Sequence, residues 1–306
     1  MPASLSGIRE YPIWRRVEDA LWKSRRVRQI HGRFASARLA RYQSHLQSSH
    51  GGALQVDVFG LPLVLSTHEP HDVIMYREMV ERQGYEPGTT RLIRGLISGD
   101  RSFVDVGANN GYFPVAAASV AGVRSRIFAF EPYLPAFSRL EQNVARCNLS
   151  SRVTTVRAAV SNHNGVGTLH LSRIEDGRNS LVADFPDTQE VKCVTLDTAL
   201  RDVPVSLVKI DVEGAELAVV EGMNRILEEQ PDLIVILEWN RNYSSRALWQ
   251  TLKQRFDLFE IRESRTGTLL RECMSPPGGI LNILGVAHGT TAGEIERTVS
   301  LRERMS

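Results

Sequence analysis

The sequence predicts an α/β fold, a mostly parallel sheet covered by helices on both faces. Apolar strand-like runs alternate with helical patterns between residues 102 and 255. The runs are nearly all apolar instead of alternating with polar residues, as strands buried on both faces are. Acidic residues with glycines beside them stand at the ends of several runs, and open parallel sheets bind their ligands there.

The chain has 306 residues, enough to bury a large core, and its 42% hydrophobic and 24% charged content is that of a water-soluble globular protein. No run of about eighteen uninterrupted apolar residues predicts a membrane span. The basic N-terminus lacks the apolar stretch of a secretory signal. Cys147, Cys193 and Cys273 are widely spaced, follow no metal-ligand pattern, and point to structural thiols in a reducing, cytoplasmic compartment. Residues 1–50 carry ten Lys/Arg against three Asp/Glu, and the remainder carries 27 against 32. The first segment is thus a basic extension distinct from the rest.

Taken in order, Trp14, Val17 and Leu21 recur near helical spacing among arginines in residues 11–42. Such a helix could lie on an anionic membrane at the inner face or bind an acidic partner, although packing of its apolar stripe on the main domain is the simpler reading. Ser44 to Gly52 reads as a polar linker. Residues 51–98 then hold a hairpin, Val56 to Leu65 around Gly60-Leu-Pro62, and helices over 71–83 and 89–97. The core domain, 99–288, places strands near 102–106, 126–131, 153–157, 205–211 and 232–238, with helices near 112–121, 135–147, 215–229 and 243–255. After the third strand, Val160 to Leu171 contains Asn164-Gly165 and reads as a hairpin. A polar loop over 173–190 and a strand over 191–196 follow. Phe256–Ile261 and Ile280–Val286 read as antiparallel edge strands, and 289–306 as a polar, frayed tail.

Three motifs carry the chemistry. In Phe103-Val-Asp105-Val-Gly107-Ala-Asn109-Asn110-Gly111, a buried strand ends beside an acid, and two glycines allow tight turning and close backbone approach. Asp105 there suits a cationic, adenosine-bearing cofactor. Glu131 ends the second strand and has two acceptor oxygens for two ribose hydroxyls. A dinucleotide fold would use an acid similarly, but the glycine spacing departs from G-x-G-x-x-G, and no Gly-Lys-Ser/Thr of a P-loop follows. The set points to S-adenosylmethionine. In Lys209-Ile-Asp211-Val-Glu213-Gly214-Ala-Glu216, Asp211 and Glu213 lie two apart and share a face if extended. Glu238 of the next strand would lie beside them. These acids could orient a hydroxyl, act as a general base or bind a divalent cation, although no residue is assigned to a metal. For Glu216, capping of the following helix is the favoured role. His163 and His170 are candidate bases by type only, and read better as surface or packing residues.

Phe103–Tyr112, Phe128–Asn143 and Leu207–Gly222 resemble the core motifs of the FkbM-type S-adenosylmethionine-dependent methyltransferases. Arg157–Ser161 with Gly165, Val194–Asp197 and Gly84–Pro87 are similar to that family as well. The resemblance implies a class I, Rossmann-like fold with a mostly parallel seven-stranded sheet and a hairpin insertion after the third strand. It also implies methyl transfer to a hydroxyl of a sugar, glycan, glycolipid or secondary metabolite. Under it, Asp105, Gly107, Asn109 and Gly111 line the methionine and ribose side, Glu131 holds the ribose, and Ala159 and Ser161 lie near adenine. Asp211, Glu213 and Glu238 face the acceptor, while Tyr85 and Glu86 cap the site. Asn110 departs from the pattern, which often has an aliphatic residue there, and the basic extension is no part of it. Two other readings stand beside an O-methyltransferase: a non-catalytic cofactor-binding module, and an N-methyltransferase on a small molecule. No aromatic-basic platform predicts a nucleic-acid partner.

Overall fold

The structure, a computed structural model, describes residues 25–81, 84–97, 102–122, 124–172, 178–182, 185–263 and 269–304. The chain divides into two compact units, Met1–Gly51 and Gly52–Ser306. In the first, one helix is described, α1 (Arg25–His50). The amphipathic pattern at Trp14, Val17 and Leu21 lies outside the described residues. The expected linker from Ser44 is instead the last turns of α1. Nothing between Ser44 and His50 breaks a helix, and Ser48 satisfies its hydroxyl on the Ser44 carbonyl. The helix stops at Gly51, which takes φ +70° and donates its N–H to the Gln47 carbonyl, as helix-ending glycines do.

The second unit opens with β1 (Ala53–Val58) and β2 (Leu61–Ser66), an antiparallel hairpin that forms a sheet by itself. Next come α2 (Pro70–Glu81) and α3 (Pro87–Leu96). The core follows with β3 (Ser102–Val106), α4 (Tyr112–Ala118), β4 (Ile127–Phe130), α5 (Leu134–Arg146) and β5 (Val153–Val156). An insertion holds β6 (Ala159–Val160), β7 (Gly165–Leu171) and β8 (Asp187–Val194). The chain returns through α6 (Leu196–Ala199) to β9 (Val205–Ile210), α7 (Glu216–Glu221), α8 (Asn224–Glu229), β10 (Ile234–Asn240) and α9 (Arg246–Arg255). It ends with β11 (Asp257–Ile261), β12 (Leu270–Glu272), β13 (Ile280–Val286) and α10 (Ala292–Glu303).

The main sheet runs β12-β11-β13-β10-β9-β3-β4-β5. Its pairs from β10 to β5 are parallel, and β13 enters antiparallel between β10 and β11. This is a class I, Rossmann-like methyltransferase fold. The three-residue β12 makes the sheet eight-stranded where seven strands were expected. Strand order reverses around β3, with β4 on one side and β9 on the other, so the carboxyl ends of these strands border a crevice. Phe130, Val208, Ile210, Leu237 and Trp239 of the sheet pack with Val219, Met223, Leu248 and Leu252 of the helices into one buried core.

Three further expectations change in form. Val160–Leu171 is not a hairpin, because β8 runs between β6 and β7 and takes the backbone bonds of both. Asn164 fixes that route by accepting from the Thr195 N–H and donating to the Thr198 hydroxyl. The polar loop therefore ends at Asp187, where β8 starts. The helix expected over 215–229 is split at Gly222. A Cβ there would stand 2.1 Å from the Ser161 carbonyl oxygen, which requires glycine, and the Gly222 carbonyl accepts from the Asp197 N–H in place of a helix partner. The Asp197 carboxylate then accepts from the N–H groups of Arg225 and Ile226 and starts α8. The tail at 289–306 is no frayed segment, since α10 opens with a Thr291/Glu294 capping box and buries Ile295 and Val299.

Candidate active site

A cleft of about 820 Å³, open to solvent, lies at the carboxyl ends of β3, β4 and β9. Gly107, Asn109, Glu131, Ala159, Asp211 and Glu213 all line it. Six of the eleven expected site residues, drawn from all three motifs, thus meet in one place.

The glycine turn after β3 is built from its own backbone. The N–H groups of Gly107 and Ala108 both donate to the Phe130 carbonyl. Gly107 sits at φ +86°, and a Cβ on it would come 1.9 Å from the Asp211 carbonyl oxygen. Only glycine lets the first and third motifs approach this closely. Glu131 is 7% exposed, and its carboxylate accepts from the Asn109 N–H at 3.0 Å and the Tyr133 N–H at 2.8 Å. These bonds fix the carboxylate at the cleft wall. Asn179 also lines the cleft, and its buried Nδ2 has no partner.

Five expected residues stand elsewhere. Asp105 lies inside β3, one residue before its end, paired with Ala129 and Lys209 on its neighbours. It is fully buried beneath the cleft, and both carboxylate oxygens lack hydrogen-bond partners. Burial pushes it up to about 6 against the pull of Lys209. Gly111, at φ +91°, packs on Leu140 and seats the start of α4 on α5. Ser161 follows the end of β6, turns away, and donates its N–H to the Val194 carbonyl. Glu86 precedes α3 and accepts from Asn282, so of the Tyr85–Glu86 pair only Tyr85 lines the cleft. Burial raises Glu86 to about 7. Glu238 opens on a neighbouring cleft.

The third motif contains a residue that the sequence reading passed over. Lys209 is 2% exposed inside β9, and its Nζ donates to Asp211 Oδ2 at 2.9 Å. The same ammonium lies 4.5 Å from the centre of the Phe113 ring. Asp211, Asp105 and Glu86 together raise its pKa despite burial, so it stays a cation. A lysine inside an otherwise apolar strand was the available signal. Tyr85, Tyr112 and Phe113 form an aromatic wall, with ring centres 5.2–6.0 Å apart.

Burial, reinforced by Asp211, Glu213 and Glu216, pushes Glu238 up to about 9. That shift favours the protonated carboxyl near neutral pH, and its buried Oε2 has no hydrogen-bond partner. Glu216, 1% exposed, accepts from the Gly214 N–H at the start of α7, the structural role expected of it. His163 and His170 line neither cleft. Among the described residues no group of three or more His, Cys, Asp or Glu is arranged to hold a metal ion.

The departure at Asn110 has a structural cause. Its side chain, 1% exposed, donates to the buried Asp72 at 2.7 Å and accepts from the Tyr112 N–H. Asp72 also accepts from the Ser66 N–H. The amide thus ties the cofactor-side turn to the hairpin and α2, where an aliphatic residue would leave Asp72 without that donor.

Among solved structures, a methyltransferase from Geobacter sulfurreducens is similar at 17% identity, covering 72% of this chain and 88% of that one, with a TM-score of 0.41. The O-methyltransferase from Bacillus cereus in complex with SAH is similar at 11% identity, with coverage of 69% and 85% and a TM-score of 0.40. An rRNA methylase from Streptococcus thermophilus is similar at 12% identity, with coverage of 65% and 95% and a TM-score of 0.39. Their names differ in acceptor, and at this level of likeness they say nothing about the acceptor here. No curated protein matches the chain. The model of the Methyltransferase FkbM domain matches residues 105–263, more than half of the chain, from Asp105 of the first motif through the second, the insertion and the third. The chain belongs to the FkbM family of S-adenosylmethionine-dependent methyltransferases.

Proposed function

We propose that the protein transfers the methyl group of S-adenosylmethionine to a hydroxyl oxygen of a carbohydrate, glycolipid or secondary metabolite. One observation carries this reading: Asp211, held by the buried Lys209 and 27% exposed, lines the same cleft as Glu131. The residues present fit the cofactor. Glu131 would hold the ribose hydroxyls, Gly107 and Asn109 would follow the backbone of the turn, and Ala159 would lie beside adenine. The unpartnered amide of Asn179 offers a further donor.

S-adenosylmethionine, when bound, supplies a methyl group on cationic sulfur, whose carbon–sulfur bond breaks with the electron pair left on sulfur. The acceptor oxygen forms the new bond to carbon, and its proton passes to the Asp211 carboxylate. Lys209 fixes that carboxylate by charge and hydrogen bond, in a site where alignment alone can contribute about 7–11 kcal/mol. Glu238, carrying its proton, donates to an oxygen of the acceptor and does not compete for the hydroxyl proton.

The test follows radiolabelled methyl transfer to a panel of glycosides and hydroxylated metabolites, with affinity for the demethylated cofactor measured alongside. Asp211→Asn is expected to lower turnover on the accepted substrate roughly 100-fold and to change cofactor affinity by less than about threefold. Wild-type turnover in the variant removes Asp211 from the chemistry. Label found only on nitrogen removes the hydroxyl reading.

A further inference from the structure

Glu213 lines a second cleft as well as the first. That neighbour, about 790 Å³ and open to solvent, is also lined by Glu238, Asn240, Asn242, Tyr243 and Ile280. The wall between the two clefts is the segment around Ser180. Asn179 and Leu181 line the first cleft, while Arg178 and Ser180 line the second. Such alternation is what an extended segment produces, and Ser180 bridges His170 of β7 in antiparallel fashion. The wall is anchored, since the Ser180 hydroxyl donates to the Glu213 carbonyl at 2.6 Å.

The floor and the rim of the second cleft differ in chemistry. Its floor presents Glu238, whose buried Oε2 has no partner, beside the buried Asn240, whose amide oxygen accepts from the N–H and Nδ2 of the exposed Asn242. Its rim carries two large apolar side chains beside the exposed Arg178 and Asn242: Tyr243 is 45% exposed, and Ile280, opposite Asn240 at the start of β13, is 58% exposed. Val182, 57% exposed, continues that surface, because a Cβ on Gly214 would touch both Val182 and Tyr243. Large side chains left in water beside a polar pocket mark a binding surface more often than they serve stability. An aromatic ring next to carboxyl and amide groups suits a sugar, whose ring offers an apolar face and a hydroxylated edge.

We propose that this second cleft is the acceptor pocket and takes an amphipathic glycoside, with the sugar hydroxyls on the Glu238–Asn240 floor and an apolar aglycone across Tyr243 and Ile280. The inference rests on the hydroxyl-methylation reading and adds where the acceptor lies and which part of it the rim holds. Glu213 lines both clefts and marks the side from which the hydroxyl reaches Asp211 in the first.

The experiment saturates the full chain with the demethylated cofactor and titrates octyl β-D-glucoside and octyl β-D-galactoside below their micelle concentrations, each against its methyl glycoside. At least one octyl glycoside is expected to bind more than tenfold tighter than its methyl counterpart. Tyr243→Ala and Ile280→Ser should each cost at least fivefold of that affinity while cofactor binding is kept, which also shows that the variants are folded. Leu301→Ser, exposed on α10, serves as the control and should change nothing. A wild-type protein that binds the cofactor but shows no octyl preference overturns the pocket and leaves the methyltransfer reading standing. Rim variants that both hold the octyl glycoside as tightly as wild type overturn the pocket in the same way. Octyl-selective binding without label ever reaching an oxygen leaves the pocket standing and overturns hydroxyl methylation.

Discussion

Glu131 shows how a single residue changes meaning once its neighbours are known. The sequence identifies a carboxylate at a strand end, with two oxygens for ribose hydroxyls. In the structure the same carboxylate accepts from the N–H groups of Asn109 and Tyr133. Glu131→Ala would leave two loop amides without partners, at a cost of about 1–3 kcal/mol for each, and would confuse binding with folding. Glu131→Gln keeps one acceptor oxygen and is the cleaner probe. We expect it to weaken binding of the demethylated cofactor by at least tenfold in calorimetry, with a melting temperature within a few degrees of wild type. Unchanged affinity would remove Glu131 from the ribose site. Lys209 is the opposite case: its role depends on Asp211 and Phe113, and only folding brings the Phe113 ring to its ammonium.

At the scale of elements, the strands and helices of the core were legible because their apolar runs are long and period-specific. β3, β4, β5, β9 and β10 all fall within two residues of the segments read from sequence. Boundaries set by distant contacts were not legible. The break between α7 and α8 lies where the Gly222 carbonyl accepts from the distant Asp197 N–H, and the route of β6 and β7 depends on β8, which follows both across the loop. The C-terminal helix is similar, since α10 has few apolar residues and depends on docking Val299 against Gly95 of α3. A Cβ on Gly95 would stand 2.8 Å from a Val299 methyl. Val299→Asp places a charge in that contact and should lower stability by about 3 kcal/mol, visible as a lower thermal midpoint. A variant that melts like wild type would show that α10 contributes nothing to the core.

Across the whole molecule, the buried acids Glu238, Glu86 and Asp105 make stability depend on pH. Burial raises Glu238 from 4.5 to about 9, Glu86 from 4.5 to about 7 and Asp105 from 3.8 to about 6. Each group keeps its proton to a higher pH in the folded state than in the unfolded chain. Its contribution is complete below its unfolded pKa and is lost as pH rises through the folded value. Lys209, also raised, loses its contribution only above 10.5, outside this window. The ligand-free protein should therefore lose stability from about pH 4.5 to 9. Glu238→Gln, which cannot titrate, should melt roughly 5 °C above wild type at pH 8.5 and close to it at pH 4.5. A pH-independent difference between the two would contradict the assignment. The amino-acid sequence by itself determined the fold class, the methyl donor and the three strand ends that meet around it, because buried parallel strands and strand-end acids leave periodic, local signals. Only the tertiary structure decided that Asp105, Gly111, Ser161 and Glu86 stand behind the site, that Lys209 anchors Asp211, and that Glu238 opens on a second cleft. Those outcomes depend on which backbone blocks which side chain and how much water each carboxylate keeps, and residues far apart in the chain set both.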